Sequence, residues 1–496
     1  AGHILHYRHI LRKETICYIL MIYGQRRQRS LSTVTDKQNG AVLRAAMITA
    51  FITTFMGSSL NMSIPAIETE FQVSGALVGW VVTSYTIAVA ALSVPFGRIS
   101  DITGRRRIFL TGVVCFGAAS LVCMFSPDIL VMMILRVLQG AAAAMIFATN
   151  NAILISVYPA SQRGRVLGLS TAATYVGLSA GPVAGGFLNH YVGWRSIFAA
   201  AFLVSAAAFL ASRRHIPNDR QAEDSISFDI SGNILYICAI GMSLYGLSNL
   251  SEGIWAWAAF AAGIGAGAGF FLYEKGRKQP LIRVEMFRED IAFSFSNLAA
   301  LLNYGATFAI SYLMSIYLQV VMGFTSQDAG LILICMPLIQ AVFSPVMGKL
   351  SDKVRPHKIA TAGMMICVAA LAMFSFIDED TGLWFAVSAL MTAGFGFAVF
   401  SAPNTNAIME RVREEDYGIA NSIVATMRTY GQSASMGIVS VVMGMILGDL
   451  PMEEAQIPDL ILTVRTSFYV FIVLCVMAVF LSAFRGKCGG GMREDV

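Results

Sequence analysis

A twelve-residue pattern occurs twice in this chain, and the two copies lie about half the chain apart. The first copy, residues 97–108, reads GRISDITGRRRI, and the second copy, residues 348–359, reads GKLSDKVRPHKI. The tripeptide Asn-Ala-Ile, which begins at Asn151 and again at Asn406, repeats with nearly the same offset, 255 residues against 251. Each charged copy lies between two long apolar runs. A near-constant offset predicts a duplicated unit of membrane helices.

The composition favours a membrane protein over a soluble one. Of the 496 residues, 56% are hydrophobic and 13% are charged, whereas soluble domains average about 25% charged residues. The eight cysteines are scattered, and most of them lie inside apolar runs, where they are interpreted as small buried hydrophobic residues. Their spacing does not match a metal-ligand pattern. We therefore expect no metal site and no cofactor.

Residues 1–40 differ from the rest of the chain because they are polar and basic. We expect them to form a disordered tail. The apolar stretch from Ile16 to Tyr23 is too short to span a bilayer. The triplet His3, His6 and His9 allows an alternative, metal-binding interpretation of the same tail.

A helix needs about 20 mostly apolar residues to cross a bilayer. By this length, fourteen spans are predicted, at 42–65, 76–97, 107–125, 129–157, 165–188, 195–212, 230–249, 254–273, 291–321, 328–348, 358–377, 381–402, 418–447 and 465–484. Together with the repeat, they predict an all-α integral membrane fold. Its two six-helix bundles, 41–212 and 291–484, are joined by cytoplasmic linkers and a two-helix insert, 213–290, and followed by a cytoplasmic tail, 485–496.

Lys and Arg concentrate in alternate loops. The basic loops are 98–107, 158–165, 213–229, 274–290, 349–358 and 403–417. The loops between them contain almost no Lys or Arg and carry acidic runs such as Asp378-Glu379-Asp380. Because positive loops stay on the cytoplasmic side, both termini are predicted to be cytoplasmic. This orientation requires an even number of spans.

Three groups of residues resemble the signatures of one known family. They are Gly97, Asp101, Gly104, Arg105, Arg106 and Arg107 between spans two and three; Arg136, Gln139 and Gly140 in span four; and Gly177, Gly181, Pro182, Gly185 and Gly186 in span five. In this order they resemble the loop, buried-arginine and antiporter motifs of the major facilitator superfamily. With fourteen spans, the chain is similar to the drug:proton antiporter branch of that family.

The resemblance implies a fold and a mode of action. Two bundles would rock around a central site by alternating access, and a small molecule would be the substrate. The branch also implies the proton as a coupling ion. We expect a monomer in the lipid bilayer of the cell membrane, with no nucleic acid as a partner.

The charged loop is predicted to be a gating element. Asp101 can accept hydrogen bonds from the backbone at a helix N-terminus or pair with an arginine, and either contact would hold that side of the protein in one state. The acid recurs as Asp352, after Gly348. Because the second copy has Arg355-Pro356-His357 in place of the glycine and arginines, we expect its contact to be weaker. The alternative is a solvated loop that only sets topology.

Arg136 is the most informative single residue. A lone arginine within a span costs about 2.5–3.5 kcal/mol on insertion scales, so it is predicted to face a cavity or a polar partner. Gln139 shares its helix face, and Asn150 and Asn151 extend that face, which indicates a water-filled pathway. The alternative is a structural arginine capped by carbonyl groups. The duplicate of Arg136 is Leu390, so the charge belongs to the first half alone.

Further residues are assigned to the pathway and to helix packing. Arg428, Asn61, Tyr85 and Tyr304 complete the predicted transport pathway, although Arg428 could instead extend its side chain to the cytoplasmic end of span thirteen. In the antiporter motif, glycines recur every four residues and Pro182 removes a backbone hydrogen bond. The motif is interpreted as a hinge and a seal, with ordinary small-residue packing as the alternative.

The chain departs from drug exporters of this branch in span one. Where many of them carry an acidic residue, this chain has Met56, and the middle of each predicted span lacks a convincing Asp or Glu. Proton coupling and the export of lipophilic cations would both use a buried carboxylate. Arg136 and Arg428 suit neutral or anionic substrates better.

Three hypotheses follow from these features. The first is a secondary active transporter that exports small amphipathic compounds, with proton coupling left open. The second is uptake of a neutral or anionic metabolite, and the third is a non-transporting membrane sensor. We do not expect an enzyme, because clustered histidines or carboxylates at depth are missing from the sequence. A phosphate-binding P-loop is also missing, so we do not expect ATP to be the direct energy source.

Overall fold

The computed structural model describes residues 39–73, 75–216, 229–250, 253–275, 277, 281–282, 284–447 and 456–488. Within these ranges the regular secondary structure is helical, without a β-strand. Residues 1–38 of the predicted N-terminal tail, 217–228 of the predicted linker and 489–496 of the predicted C-terminal tail lie outside the described residues.

The first half contains seven helices within its described residues. They are α1 Asn39–Ser58, α2 Ile64–Phe71, α3 Gly75–Thr103, α4 Arg105–Cys123, α5 Ile129–Val157, α6 Arg163–Val192 and α7 Arg195–Ser212. Local chemistry sets several of the boundaries. The carboxylate of Asp128 accepts a 2.8 Å hydrogen bond from the amide of Val131 and caps α5. Gly104, at φ 102°, has a backbone conformation that favours glycine and lets α4 follow α3 directly.

The insert and the second half supply the remaining described helices. They are α8 Ile230–Ser248, α9 Ile254–Glu274, α10 Val284–Glu289, α11 Ile291–Thr307, α12 Ile310–Ile316, α13 Ser326–Leu333, α14 Cys335–Ser351, α15 Pro356–Ser375, α16 Leu383–Met409, α17 Tyr417–Ile446 and α18 Ile457–Cys488. In the span predicted at 291–321, a short turn separates α11 from α12, and a π-helical turn, Tyr317–Val321, follows α12. The helices α8 and α9 of the insert pack together as a helical hairpin.

Thirteen helical segments of the described residues are long and apolar enough to cross a membrane. They coincide with thirteen of the fourteen predicted spans. The remaining predicted span corresponds to α17, which has 30 residues but is more polar. It packs against α3, α5 and α11, and its Asn421 and Thr426 are buried among these neighbours rather than exposed to lipid. The all-α membrane fold predicted from the sequence is confirmed.

Each half has its own apolar core. The core of the first half is drawn from residues between 42 and 216 and includes the fully buried Phe116 and Phe198. The core of the second half lies almost entirely between residues 299 and 478, and its Phe374 and Phe468 rings stack at 4.9 Å. A third apolar cluster joins residues of both halves and of the insert, so the halves share apolar packing in addition to having cores of their own.

The duplication is also visible in how helices pack. A Cβ added to Gly140 on α5 would lie 2.6 Å from the carbonyl oxygen of Tyr85 on α3. Its duplicate, Gly394 on α16, lies equally close to the carbonyl group of Met336 on α14. Glycine at both positions lets the paired backbones approach closely, which is how small residues drive helix association in membranes.

The two halves meet along two pairs of helices. On one side α3 contacts α17, and a Cβ on Gly97 would lie 2.8 Å from the carbonyl oxygen of Gly418. On the other side α6 contacts α14, where a Cβ on Gly168 would lie 2.9 Å from Cα of Pro345. These contacts bring together the ends of the helices that carry the basic loops. We call this end of the molecule, where α3 meets α4 and α14 meets α15, the basic end.

The hairpin α8–α9 touches both halves through α8. The ring of Tyr245 stacks on Trp80 of α3 at a centroid distance of 5.2 Å. The hydroxyl of Tyr236 lies 3.1 Å from the hydroxyl of Thr426 on α17. The hairpin therefore lies beside the seam between α3 and α17.

A polar contact fixes the chain between α6 and α7 at the end opposite the basic end. The indole of Trp194 donates a 2.7 Å hydrogen bond to Glu70, and Arg195 forms a 2.6 Å ion pair with the same carboxylate. Burial opposes ionisation of Glu70, but both hydrogen bonds and the charge of Arg195 outweigh it and lower the pKa of Glu70 below its usual value. This contact ties α2 to the start of α7.

Two glycines of α9 test the packing of the hairpin. A Cβ on Gly263 would lie 2.6 Å from Cα of Ser243 on α8, whereas a Cβ on Gly265 would meet no atom within 4 Å. We expect Gly263→Val to destabilise the hairpin by about 1–3 kcal/mol, because the backbones must separate. Gly265→Val changes the same helix equally and should leave the thermal midpoint in detergent unchanged. Equal midpoints for both variants would contradict this packing.

Candidate functional site

A polar cavity of about 50 Å³ lies where the two halves meet. Helices α1, α5 and α6 line it from the first half, and α11, α16 and α17 line it from the second. These helices form duplicate pairs, so the cavity lies between equivalent surfaces of the two halves. Four residues of the predicted pathway line it: Asn150, Asn151, Tyr304 and Arg428.

Asparagines join the halves on the side of the cavity nearer the basic end. The amide of Asn151 donates a 2.9 Å hydrogen bond to the side-chain oxygen of Asn421 on α17. Asn421 in turn donates to the carbonyl groups of Phe147 and Ala148 on α5. The hydroxyl of Ser170 donates a 3.4 Å bond to Asn151 from α6. The three bonds of Asn421 cross between the halves and must break if the halves separate at this level.

A cluster of hydroxyl groups joins the halves deeper in the bundle. The hydroxyls of Tyr175 on α6 and Tyr304 on α11 each lie 3.3 Å from Ser401 on α16, and 3.5 Å from one another. Both tyrosine rings pack edge-on against Phe397, at 5.3 and 5.2 Å. The cavity thus has an aromatic wall with a polar edge.

Arg428 brings a positive charge to the cavity. Its guanidinium lies 4.8 Å from the ring centroid of Phe147 on α5, a cation–π contact between the halves. The side chain is partly exposed to the cavity.

Arg136 lies elsewhere, inside the first half, and does not line this cavity. It is fully buried, and its guanidinium donates to the carbonyl oxygen of Val81 at 2.9 Å and to Gln139 at 2.6 Å. A weaker 3.4 Å bond reaches the carbonyl oxygen of Met56, and the charge lies 4.3 Å from the ring centroid of Tyr85. The structure therefore brings Arg136, Gln139 and Tyr85 together as a hydrogen-bonded network that does not line the cavity.

Asn61 is the remaining residue of the predicted pathway. It lies on the 3₁₀ turn Ser59–Ser63, and its side chain is outside the described residues.

Two reciprocal contacts hold the basic end together. The carboxylate of Asp101 on α3 accepts hydrogen bonds of 3.1 and 3.0 Å from the amides of Gly418 and Ile419, at the start of α17. A carboxylate at a helix N-terminus satisfies free N–H groups and interacts favourably with the helix dipole. We call this contact and its duplicate the cross-half caps.

The second cross-half cap uses Asp352, which follows α14. Its carboxylate accepts bonds of 2.6 and 3.0 Å from the amides of Gly164 and Arg165, at the start of α6. Burial raises the pKa of Asp352 above its usual value, although both amide bonds favour the ionised form. The weaker contact expected for the second copy is not visible in its hydrogen bonds, which match those of the first.

The difference between the caps lies in their basic neighbours. Arg105 contacts Asp101 at 3.3 Å, donates to the carbonyl of Glu414 and lies 5.5 Å from the ring centroid of Tyr417. Among the described residues, no Lys or Arg forms an ion pair with Asp352. Arg106 instead donates a 2.7 Å bond to the carbonyl oxygen of Arg213, within the first half.

The remaining loop glycines are packing positions. Gly97 lies against α17. A Cβ added to Gly348 would lie 3.0 Å from Cα of Gly168 on α6. A side chain at either position would push the halves apart at the basic end.

The glycines of the antiporter motif pack α6 against α1. A Cβ on Gly185 would lie 2.7 Å from the carbonyl oxygen of Ser59, and Gly177 and Gly181 lie against Thr54 and Ser58. Hydrogen bonds cross the same contact, from Thr54 to the carbonyl of Thr174 at 3.0 Å. Pro182 and Gly186 lie in the same uninterrupted helix. The stripe is a close helix contact within the first half.

Several residues of the cavity were not predicted from the sequence. They are Ala50, Phe147, Ser170, Thr171, Thr174, Tyr175, Ser401, Thr405, Asn421, Val424 and Ala425. Asn421 precedes Arg428 by seven residues, two helical turns, so helical periodicity could have placed both on one face. Tyr175 and Ser401 lie in largely apolar runs, where helical periodicity does not single them out as cavity residues.

Comparisons with known proteins agree with this geometry. A family model described as Major Facilitator Superfamily matches residues 46–436 and 296–487. The riboflavin transporter RibZ of Clostridioides difficile is 26% identical over 453 residues, covering 90% of this chain and 98% of that protein. The multidrug resistance protein Stp of Mycobacterium tuberculosis is 27% identical over 412 residues, covering 81% and 75%.

A further relative and a solved structure extend the comparison. The tetracenomycin C resistance and export protein of Streptomyces glaucescens is 27% identical over 403 residues, covering 79% of this chain and 74% of that protein. The crystal structure of the human organic anion transporter MFSD10 superimposes with a TM-score of 0.64 at 12% identity, covering 90% of this chain and 99% of that chain. At this identity the likeness concerns the fold alone.

The cross-half caps predict a specific pattern of amide exchange. We expect Asp101→Asn to speed hydrogen–deuterium exchange in peptides that begin several residues before Gly418 and include Ile419, because the amide oxygen is a weaker, uncharged acceptor. Asp352→Asn should do the same for peptides that begin several residues before Gly164 and include Arg165. The matched control is Asp128→Asn, whose cap stays within α5 and should affect that helix alone. Unchanged exchange at α6 and α17 in both test variants would contradict the caps.

The two intramembrane arginines should differ in their contribution to stability. Arg136→Ala leaves a buried void and unsatisfied partners at Val81 and Gln139, so we expect it to destabilise the protein by about 2–5 kcal/mol. Arg428→Ala opens onto a cavity and should change the thermal midpoint little. Thermal unfolding of the purified variants measures both effects, and a larger loss for Arg428→Ala would refute the assignment.

Proposed function

Because this chain belongs to the Major Facilitator Superfamily, we propose that it is a secondary active transporter that exports small amphipathic compounds. Transport as such follows from the family. The observation that supports a central substrate site is the polar cavity, which equivalent helices of both halves line. In transporters built from repeats, the substrate site lies at the repeat interface near the bilayer midplane.

The proposed mechanism is alternating access. Most of the apolar core of each half lies within that half, and the halves meet through a third apolar cluster and, at the basic end, through the cross-half caps. Opening toward that end breaks both caps and the Asn151–Asn421 bond, and closing restores them. When a cap breaks, its backbone N–H groups form hydrogen bonds to water instead. The net cost of opening is therefore small, and the free energies of the two states can differ by only a few kcal/mol.

Export is the proposed direction. The relatives include proteins whose names state multidrug resistance and antibiotic export, and the glycine stripe of α6 resembles the antiporter motif. Uptake is the second candidate, because RibZ, which aligns over nearly its whole length, is named a riboflavin transporter.

The energy source is a separate part of the proposal. The branch resemblance implies proton exchange, yet the described residues that line the cavity include no Asp or Glu. A proton that is exchanged for the substrate would therefore be carried by carboxylates outside the cavity, such as those of the cross-half caps. We further propose a monomer in the cell membrane, with the basic end and both termini in the cytoplasm.

A flux measurement tests the proposed function. We expect the purified chain in liposomes to move fluorescent neutral or anionic compounds across the bilayer, faster when a pH gradient is imposed if protons are exchanged. Ala425→Phe fills the cavity from α17 and should reduce flux to the background of empty liposomes. No flux of any compound by the wild-type chain, with the protein correctly inserted, would argue against transport of this class.

A matched control separates blocking from misfolding. Ala258→Phe makes the same change on α9, where the side chain is exposed, and should leave flux unchanged. Both variants must elute as monodisperse protein in size-exclusion chromatography. Direction is tested by expressing the chain in cells: lower accumulation of the transported compound supports export, and higher accumulation supports uptake.

A further inference from the structure

Arg428 is the charged residue among the described side chains that line the cavity. It lies eleven residues from the start of α17, about 16 Å along the helix axis, which is close to the middle of a hydrocarbon layer of about 30 Å. A cation at that depth is costly unless it faces water or a partner. Its position in a polar cavity therefore indicates a functional contact rather than a packing role.

The guanidinium of Arg428 has donors that the protein does not use. Among the described residues, its guanidinium makes a cation–π contact with the ring of Phe147, and its charge acts on Tyr85 and Tyr175. Within the part of the chain that the structure describes, no hydrogen bond or ion pair joins it to another side chain or carbonyl. Contact through an aromatic ring leaves the in-plane N–H donors free. Arg136 shows the opposite arrangement, because Val81, Gln139 and Met56 accept its donors.

Neutral polar groups surround the charge. The amides of Asn151 and Asn421 border the cavity toward the basic end. The hydroxyls of Tyr175, Tyr304 and Ser401 share contacts of 3.3–3.5 Å, which are long for O–H···O hydrogen bonds. Such weak contacts can be exchanged for hydrogen bonds to a ligand at little cost.

The charge balance selects the sign of the ligand. With Arg428 present and no carboxylate among the described lining residues, a cationic ligand would meet repulsion without compensation, and an anion would neutralise the site. A planar guanidinium recognises carboxylate or sulfonate groups through two parallel hydrogen bonds. The rings of Tyr175 and Tyr304 offer an apolar wall for an aromatic group.

We propose that the cavity binds organic anions in which a carboxylate or sulfonate lies beside an aromatic ring system. The acid contacts Arg428, and the ring lies against Tyr175 and Tyr304. This inference rests on the proposed transport function and names its substrate class. The cavity of about 50 Å³ holds water but not an aromatic acid. Binding therefore separates the hydroxyl cluster and couples ligand entry to movement of the halves.

Binding to the purified full-length chain in detergent tests the proposal. Fluorescein and rhodamine 123 share a ring system but carry opposite charges, and fluorescence anisotropy reports the binding of each. We expect the wild-type chain to prefer fluorescein, and Arg428→Gln to weaken fluorescein binding by about tenfold or more. Arg428→Lys keeps the charge but lacks the planar guanidinium, so its affinity for fluorescein should lie between those of the wild type and Arg428→Gln. Rhodamine binding should not weaken in either variant.

Control variants and flux distinguish the possible failures. Arg214→Gln removes an exposed arginine just after α7, outside the cavity and the loop motif, and should leave both dyes unaffected. Equal fluorescein affinity in wild type and Arg428→Gln, with both proteins monodisperse, would overturn the anion site. If fluorescein binding depends on Arg428 but the chain gives no flux in liposomes, the anion site is supported and only the proposed transport function is contradicted. If other compounds are transported and their flux does not depend on Arg428, the transport function is supported and the anion site is contradicted.

Discussion

The architecture depends on two carboxylates, each placed at the N-terminus of a helix that belongs to the other half. Asp101 caps α17 and Asp352 caps α6, with two backbone amides each. Helix N-termini carry unsatisfied donors and partial positive charge, so an anion there is stabilising in either half. Because the interaction uses backbone N–H groups, it needs only one acidic residue and a close approach. The glycines Gly97 and Gly348 permit that approach.

Much of this arrangement was accessible from the sequence, and the reason is periodicity. Apolar runs of membrane length and an offset of about 251 residues fixed the number of helices and their duplication. Asp101 was predicted to accept hydrogen bonds at a helix N-terminus or to pair with an arginine, and in the structure it does both, with α17 and Arg105. The residues that line the cavity were harder to predict, because contacts such as that of Tyr175 with Ser401 join segments that are far apart in the sequence. The predicted span 418–447 forms the helix α17, which is less apolar than the length of a span would suggest. Burial against other helices lets it be polar.

The two intramembrane arginines show why residue type alone does not define a site. Both carry the same charge at a comparable distance from a helix end. Arg136 is surrounded by carbonyls and Gln139, so its charge is solvated by the protein. Arg428 contacts an aromatic face, which leaves its N–H groups available. The sequence alone favoured Arg136 as the pathway residue because its neighbours are polar. Those same polar neighbours are what satisfy it.

The hairpin α8–α9 has a consequence for the surrounding bilayer. Its first helix contacts Trp80 on one half and Thr426 on the other, so it covers the α3–α17 seam where it lies. Among the described residues, the hairpin leaves the other flank of the interface, where α6 meets α14, open to acyl chains. A compound that partitions into the membrane before it is captured would thus approach from one lateral direction, which makes the protein asymmetric in the plane of the bilayer despite its duplicated design.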